Sequence, residues 1–143
     1  MSTETVRDAM VPEPTTLAAG ASAQEAGRCL ADNGEVRAIF VTEDGGRLLG
    51  VVTRKTLVRG VVAAGLDPRS VTLREIAEPP NYTLDAGLEL DGAFRFLEAQ
   101  DLERVPVVEE GRLVGVLSRA VVQRRLAEDE PTEGGPESGS LVL

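Results

Sequence analysis

The chain of 143 residues carries a formal net charge of −9 and contains one cysteine and no histidine. This acidic balance argues against binding nucleic acid or a membrane surface, since both need a basic patch. The missing histidine removes the commonest general base and metal ligand, which argues against an enzyme. We expect Cys29 to be a buried apolar thiol, and we expect a cytoplasmic protein because no long apolar run or signal sequence is present.

The first half of the chain predicts a unit of the order β-α-β-β-α. In chain order the predicted elements are a capped turn over residues 5–10, a brief strand at 16–17, a helix over 22–33, strands over 37–42 and 48–52, and a helix over 54–64. Ser22 and Glu25 form a capping box that starts the first long helix, and Asn33 ends it. A glycine-containing turn between two β-branched runs predicts the hairpin.

The second half of the chain repeats the first. The segment LLGVVTRKTL at residues 48–57 returns as LVGVLSRAVV at residues 113–122, and the helical turn TVRDAM at 5–10 returns as TLREIA at 72–77. The offset falls from 67 to 65 through two one-residue gaps, both in predicted loops. We therefore expect two repeats, residues 3–66 and 67–127, that pack as one globule. Residues 128–143 are rich in Glu, Gly, Pro and Ser, which predicts a disordered acidic tail.

This repeated pattern resembles a tandem pair of cystathionine-β-synthase (CBS) domains. The resemblance rests on TVRDAM followed by PEPTTL, on VPVVEEGRLVGVLSR at residues 105–119, and on the two hairpins that end in Gly-x-x-Thr and Gly-x-x-Ser. It implies an α+β fold whose two repeats pack about a pseudo-twofold axis. It also implies a regulatory function in which AMP, ADP, ATP or S-adenosylmethionine binds between the repeats, and a homodimer of such pairs.

The family's ribose-binding pattern, Gly-x-x-Thr/Ser-x-x-Asp, is incomplete in both copies. Copy one places Thr53 and Thr56 at the hydroxyl and aspartate positions, and copy two places Ser118 and Val121 there. A carboxylate that accepts from ribose hydroxyls contributes about 1.5 to 3 kcal/mol, so its loss weakens binding by about ten- to a hundredfold. Of the two clefts, we expect the one with Thr53 and Thr56 to bind better.

Four arginines are candidates for binding a ligand phosphate. Arg104 precedes the Val-Pro-Val run, where nucleotide-binding members often carry a basic residue, and Arg37 stands beside Ala38 at the equivalent place in copy one. Arg54 and Arg119 begin helices, where an anion is favoured. Alternatively, all four pair with the surplus of acidic side chains.

The remaining ligand-binding candidates lie near these positions. Tyr82 could stack on a base, although a half-buried packing role is the alternative. The resemblance adds Thr16, Thr83 and Val105 as cleft neighbours.

The sequence therefore predicts a non-enzymatic sensor that binds an adenosyl ligand between its CBS repeats and acts on an effector protein. No metal site and no required cofactor are expected. The alternative is a module with degenerate clefts that binds no ligand and acts only by dimerising or by docking on another protein.

Overall fold

The computed structural model of this protein describes residues 4–12 and 14–129. The elements in chain order are α1 (Val6–Ala9), β1 (Val11–Pro12), β2 (Thr16–Ala18), α2 (Ala23–Asp32), β3 (Ile39–Glu43), β4 (Arg47–Val52), α3 (Arg54–Leu57), a π-helical segment (Val58–Val62), α4 (Leu73–Ile76), β5 (Leu84–Asp85), α5 (Leu90–Ala99), β6 (Arg104–Glu109), β7 (Arg112–Ser118) and α6 (Arg119–Asp129). The predicted α+β fold is confirmed. Within the described residues, no helix has the length and apolar character needed to cross a bilayer.

The seven strands form one sheet in which each repeat contributes the same arrangement. In the first repeat β2 runs parallel to β3, and β3 pairs antiparallel with β4; β5, β6 and β7 repeat this order in the second. The two halves join at the hairpin tips, where Leu48 N donates to Gly111 O at 3.1 Å and Leu113 N donates to Gly46 O at 2.9 Å. The sheet order β2-β3-β4-β7-β6-β5 is therefore symmetric about the join.

The predicted hairpin turns and the predicted caps of α2 are confirmed. Gly45, Gly46 and Gly111 have positive φ, the conformation that favours glycine. Ser22 Oγ accepts from Glu25 N at 3.1 Å, and Glu25 Oε1 accepts from Ser22 N at 3.0 Å. The one-residue difference between the repeats at these turns, EDGGR against EEGR, thus changes only the length of the hairpin loop.

The helix predicted over residues 54–64 is α-helical only in its first turn and is then π-helical. Ala63 N donates to Val58 O at 2.7 Å and Leu66 N donates to Val61 O at 3.0 Å, which are the i to i+5 bonds of a π-helix. One feature of this segment and one of its surroundings accompany the wider turn. The β-branched valines lower helix propensity, and a Cβ at Gly60 would come within 3.2 Å of Ile76 on α4.

The lead-in of each repeat is the segment that begins with its short helix, α1 or α4, and runs to β2 or β5. The short helix of each lead-in packs into the core of the other repeat. Val6 and Ala9 of α1 are buried in the core of the second repeat with Leu90, Leu97 and Leu117. Correspondingly, α4 places the fully buried Leu73 in the core of the first repeat. The half-buried thiol of Cys29 packs against that same core. The exchange of α1 and α4 locks the two repeats into one globule.

The described structure extends two residues into the predicted acidic tail. The last helix, α6, continues to Asp129, so it includes the first two residues of the predicted acidic tail. Residues 130–143 of that tail lie outside the described part of the chain.

Candidate ligand-binding cleft

The cleft forms where the lead-in chain of each repeat crosses the last strand of the other. Glu78, just after α4, pairs with Val51 of β4 through backbone bonds of 2.8 Å and 3.0 Å. Val11 of β1 pairs in the same antiparallel sense with Val116 of β7. These two crossings are related by the internal repeat, since Val51 and Val116 are 65 positions apart.

The glycine of each repeated Gly-x-x-Thr/Ser pattern is explained by this crossing. A Cβ at Gly50 would lie 2.8 Å from Glu78 O, and a Cβ at Gly115 would lie 2.9 Å from Val11 O. Real Cβ atoms do not approach backbone oxygens so closely. Glycine is therefore needed at both positions so that the lead-in chains can lie flat on the sheets.

A cleft of about 550 Å³ lies beside the crossings and takes residues from both repeats. Its walls are mainly apolar and include Val51 and Val116, the prolines at 79, 80 and 106, and Val105. Four charged side chains also line it: Glu35 and Arg37 from the first repeat, and Glu78 and Arg104 from the second repeat and its lead-in. A concave apolar site with a few polar groups is the usual form of a small-molecule pocket.

Six of the predicted site residues line this cleft. They are Arg37, Ala38, Tyr82, Arg104, Val105 and Ser118. Within residues 4–12 and 14–129, neither the Arg37 nor the Arg104 guanidinium makes a hydrogen bond or ion pair. Two cations thus face the cleft with their donors available to an anion, which is the arrangement that phosphate recognition needs.

Arg54 and Arg119 lie elsewhere and have protein partners. Arg54 Nη2 donates to Leu30 O at 2.7 Å, and its Nη1 donates to Val36 O at 2.8 Å. This arginine therefore satisfies carbonyls at and beyond the C-terminal end of α2. Arg119 pairs with Glu103, and with Asp101 at 3.3 Å. The expectation that arginines pair with the surplus acids thus describes Arg119, whereas Arg54 uses backbone carbonyls instead.

Thr53 and Thr56 of the first copy hydrogen-bond to each other. Thr53 N donates to Thr56 Oγ1 at 3.0 Å, and the two hydroxyl oxygens lie 3.0 Å apart. Thr56 is only 4% exposed, and it lines a second cavity of about 380 Å³ instead of the larger cleft. Thr53 is thus the N-cap of α3, and Thr56, at the family's aspartate position, completes the capping box and presents little to solvent.

Two further predicted residues, Thr16 and Thr83, are exposed and do not line the cleft. Their neighbours Thr15 and Tyr82 line it instead. Side chains of an extended chain alternate between faces, so a displacement of one position moves a residue from the cleft to the opposite side. Thr16 and Thr83 each lie one position from a residue that lines the cleft.

The Tyr82 side chain stands at the edge of the cleft with its orientation fixed. Its ring meets Phe96 edge to face at 5.3 Å between centroids, and its hydroxyl donates to Gln100 Oε1 at 3.1 Å. The residue is nevertheless 38% exposed. Tyr82 therefore has both the packing role and the open ring surface that the sequence left as alternatives.

Sequence reasoning missed the carboxylates of Glu35 and Glu78 as cleft residues. Neither belongs to a motif, and only the crossing of Glu78 over β4 reveals its place. The one signal was its position before two prolines, which marks a rigid extended segment. Among residues 4–12 and 14–129, no three His, Cys, Asp or Glu side chains come together in a way that could hold a metal ion.

Known proteins resemble this chain over nearly all of its repeated part. The family model of the CBS domain matches residues 6–63 and again residues 73–128. Hypoxic response protein 1 of Mycobacterium tuberculosis is 35% identical over 94 residues, which make up 66% of this chain and 66% of that protein. This chain is therefore similar to about two thirds of that relative's length.

Two solved structures extend the comparison to three dimensions. The crystal structure of Hypoxic Response Protein I with two coordinated zinc ions has a TM-score of 0.72 and 30% identity, covering 85% of this chain and 98% of that chain. The cytosolic domain of the Mg²⁺ channel MgtE in complex with ATP has a TM-score of 0.63 and 27% identity, covering 81% of this chain and 46% of that chain.

Proposed function

Because the chain belongs to the CBS-domain family and carries the domain twice, we propose that it is a non-enzymatic regulatory module. In this proposal a cytoplasmic homodimer binds an adenine nucleotide or related adenosyl ligand in the cleft between its repeats. Occupancy of that cleft then changes how the module acts on a partner protein.

The observation that carries this proposal is the pair of unpartnered arginines in the apolar cleft. Arg104 begins β6, Arg37 lies just before the corresponding strand β3, and both line the same cavity. Tyr82 adds an aromatic ring with exposed surface, on which a base can stack. The ATP complex of the related MgtE domain supports a nucleotide as the first ligand to test.

The test is a thermal-shift and calorimetry panel with AMP, ADP, ATP, S-adenosylmethionine and NADH. A ligand at a hundred times its Kd adds about 2.7 kcal/mol to the unfolding free energy. We expect at least one adenosine compound to raise Tm, and we expect Arg104→Ala to reduce that shift. Arg95, an exposed arginine on α5 outside the cleft lining, provides the matched control through Arg95→Ala. No shift with any adenosine compound at millimolar concentration would contradict the proposal.

One observation favours the alternative of a ligand-free interaction module. The polar groups of Thr53 and Thr56 already satisfy each other, and Val121 offers nothing polar at the equivalent position in the second repeat. A chain that dimerises normally and binds its partner equally well with and without adenosine compounds would support this alternative.

The homodimer in this proposal is supported by an apolar stripe on the first repeat. Val58, Val62 and Leu66 follow one another at four-residue spacing and are 55%, 71% and 50% exposed. Val58 and Val62 begin and end the π-helical segment, and Leu66 follows in the loop beyond it. The residue of the second repeat that corresponds to Val58 at the offset of 65 is the polar Gln123.

A further inference from the structure

Glu78 belongs to the lining of both cavities, and its backbone position is fixed. It lines both the cleft of about 550 Å³ and the smaller cavity of about 380 Å³ that holds Thr56. Its backbone is held on both sides, because Glu78 N donates to Val51 O at 3.0 Å and Val51 N donates to Glu78 O at 2.8 Å. Pro79 and Pro80 then restrict the chain that follows.

The Glu78 carboxylate is exposed to solvent. Within the described part of the chain it makes no hydrogen bond or ion pair, although Arg104 lines the same cleft. Other carboxylates of this protein, such as Glu43 with Arg74 and Glu25 at the cap of α2, have partners. Glu78 therefore offers two acceptor oxygens to a ligand from a backbone that is already ordered, which lowers the entropy cost of binding.

Three groups that line the cleft match the three parts of a nucleotide. Tyr82 provides an aromatic surface for a base, Arg104 provides a cation for a phosphate, and Glu78 provides an acceptor pair. The two neighbouring hydroxyls of a ribose are donors, and a carboxylate is the usual acceptor for them in nucleotide sites. Glu35, the other carboxylate of the cleft, lies in a connecting segment between α2 and β3 without a strand to hold it.

We propose that Glu78 accepts hydrogen bonds from the ribose hydroxyls and so makes the cleft selective for ribonucleotides over 2′-deoxyribonucleotides. This inference rests on the proposed function, since it assigns a role within the same cleft. In this arrangement the lead-in of the second repeat supplies the carboxylate that neither copy carries after its Gly-x-x-Thr/Ser segment.

The experiment compares AMP with 2′-deoxy-AMP by isothermal titration calorimetry on the full chain. The wild type should bind AMP about tenfold more tightly than 2′-deoxy-AMP, because the deoxy compound lacks one charge-assisted hydrogen bond. Glu78→Gln should weaken AMP by about tenfold and 2′-deoxy-AMP by much less, so that the preference for AMP largely disappears. Glu98→Gln removes an exposed carboxylate on α5 that does not line the cleft, so this matched control should keep the wild-type ratio.

Circular dichroism and urea unfolding accompany each variant, and Glu78→Ala provides a second substitution that leaves the backbone pairing with Val51 in place. An unchanged ratio of AMP to 2′-deoxy-AMP affinity in both Glu78 variants would refute the role of Glu78 while leaving the proposed function standing. Tighter AMP binding by Glu78→Gln would also refute it, because the carboxylate would then be repelling the phosphate. Absence of binding by the wild type to every adenosine compound would overturn the proposed function, and this inference with it.

Discussion

The crossing at Gly50 provides the most direct test of the fold and of the cleft together. Replacing Gly50 by alanine would place a Cβ 2.8 Å from Glu78 O and 3.0 Å from the Cβ of Ala77. Neither contact can be relieved by rotating a flexible side chain, since one atom belongs to the backbone and the other is fixed to it. The lead-in chain would have to move away from β4, and its pairing with Val51 would weaken.

The size of the effect follows from two contributions. Forcing an extra methyl group into a packed position costs about 1–3 kcal/mol, and each backbone hydrogen bond of the Val51–Glu78 pair contributes about 0.5–1.5 kcal/mol. Partial relaxation trades one contribution against the other, so we expect Gly50→Ala to lower the unfolding free energy by about 2–4 kcal/mol. At about 2–4 °C per kcal/mol for a chain of this size, Tm should fall by about 4–16 °C.

Urea unfolding followed by circular dichroism measures this loss, and Gly34→Ala is the control. Nothing lies within 4 Å of a Cβ built at Gly34, so that substitution should change stability little or raise it slightly. Because Glu78 moves with the lead-in, Gly50→Ala should also lower the affinity of the cleft for any ligand. A Gly50→Ala protein within about 0.5 kcal/mol of wild type would refute the argument, since ordinary surface substitutions fall in that range.

Three further predictions concern other parts of the molecule. Val58→Glu should convert the proposed dimer into a monomer in analytical ultracentrifugation, whereas the repeat-equivalent Gln123→Glu should not. Arg54→Ala should destabilise the fold by about 1–3 kcal/mol in urea unfolding, because the part-buried Leu30 carbonyl near the end of α2 and the exposed Val36 carbonyl lose their donor; an unchanged midpoint would show that water replaces the guanidinium. The Asp8 carboxylate accepts a hydrogen bond from Thr5 N at 2.8 Å, which lowers the pKa of Asp8. The ionised carboxylate therefore stabilises the fold above the ordinary carboxyl pKa, and this stabilisation is lost as pH falls through the lowered pKa. Asp8→Asn should therefore reduce the acid dependence of Tm, and an identical pH profile would contradict this.

Much of the local structure follows from the sequence because its causes are local. Ser22 with Glu25 caps α2, and the glycines of each hairpin adopt positive φ, for reasons contained within four or five residues. The repeat itself identified the family and the mixed fold. The π-helical turn after α3 escaped prediction because the apolar spacing of this segment does not distinguish an α-helix from a π-helix, and the close packing of Ile76 over Gly60 comes from another helix.

The exchange of lead-in helices could not be predicted from periodicity. The pattern of TVRDAM gives a short capped helix, and it does not say whose core that helix completes. Val6 is fully buried, yet its buried neighbours include Leu90 and Leu117 from the distant second repeat. The information lies in shape complementarity between segments more than 80 positions apart, and hydrophobic patterning alone carries no such partner information.

The candidate site shows the same division between local and distant causes. Arg37 and Arg104 were placed by their position beside a strand, and both line the cleft. A helix N-terminus favours an anion beside Arg54, but the carbonyl of Leu30 in α2 competes for the same guanidinium and accepts its hydrogen bond. Glu78 went unnoticed because its role depends on a crossing between repeats.

The crossings also connect the cleft to the two cores. Residues 77–82 run from α4, which completes the core of the first repeat, into the cleft. Val11 occupies the equivalent place after α1, which completes the core of the second repeat. A ligand that contacts both lead-ins would hold each helix against the opposite core, because the lead-ins are short and partly fixed by proline. Its binding energy would therefore stabilise both repeats at once, and the strand crossings would carry occupancy of the cleft to the helices on which a partner could act.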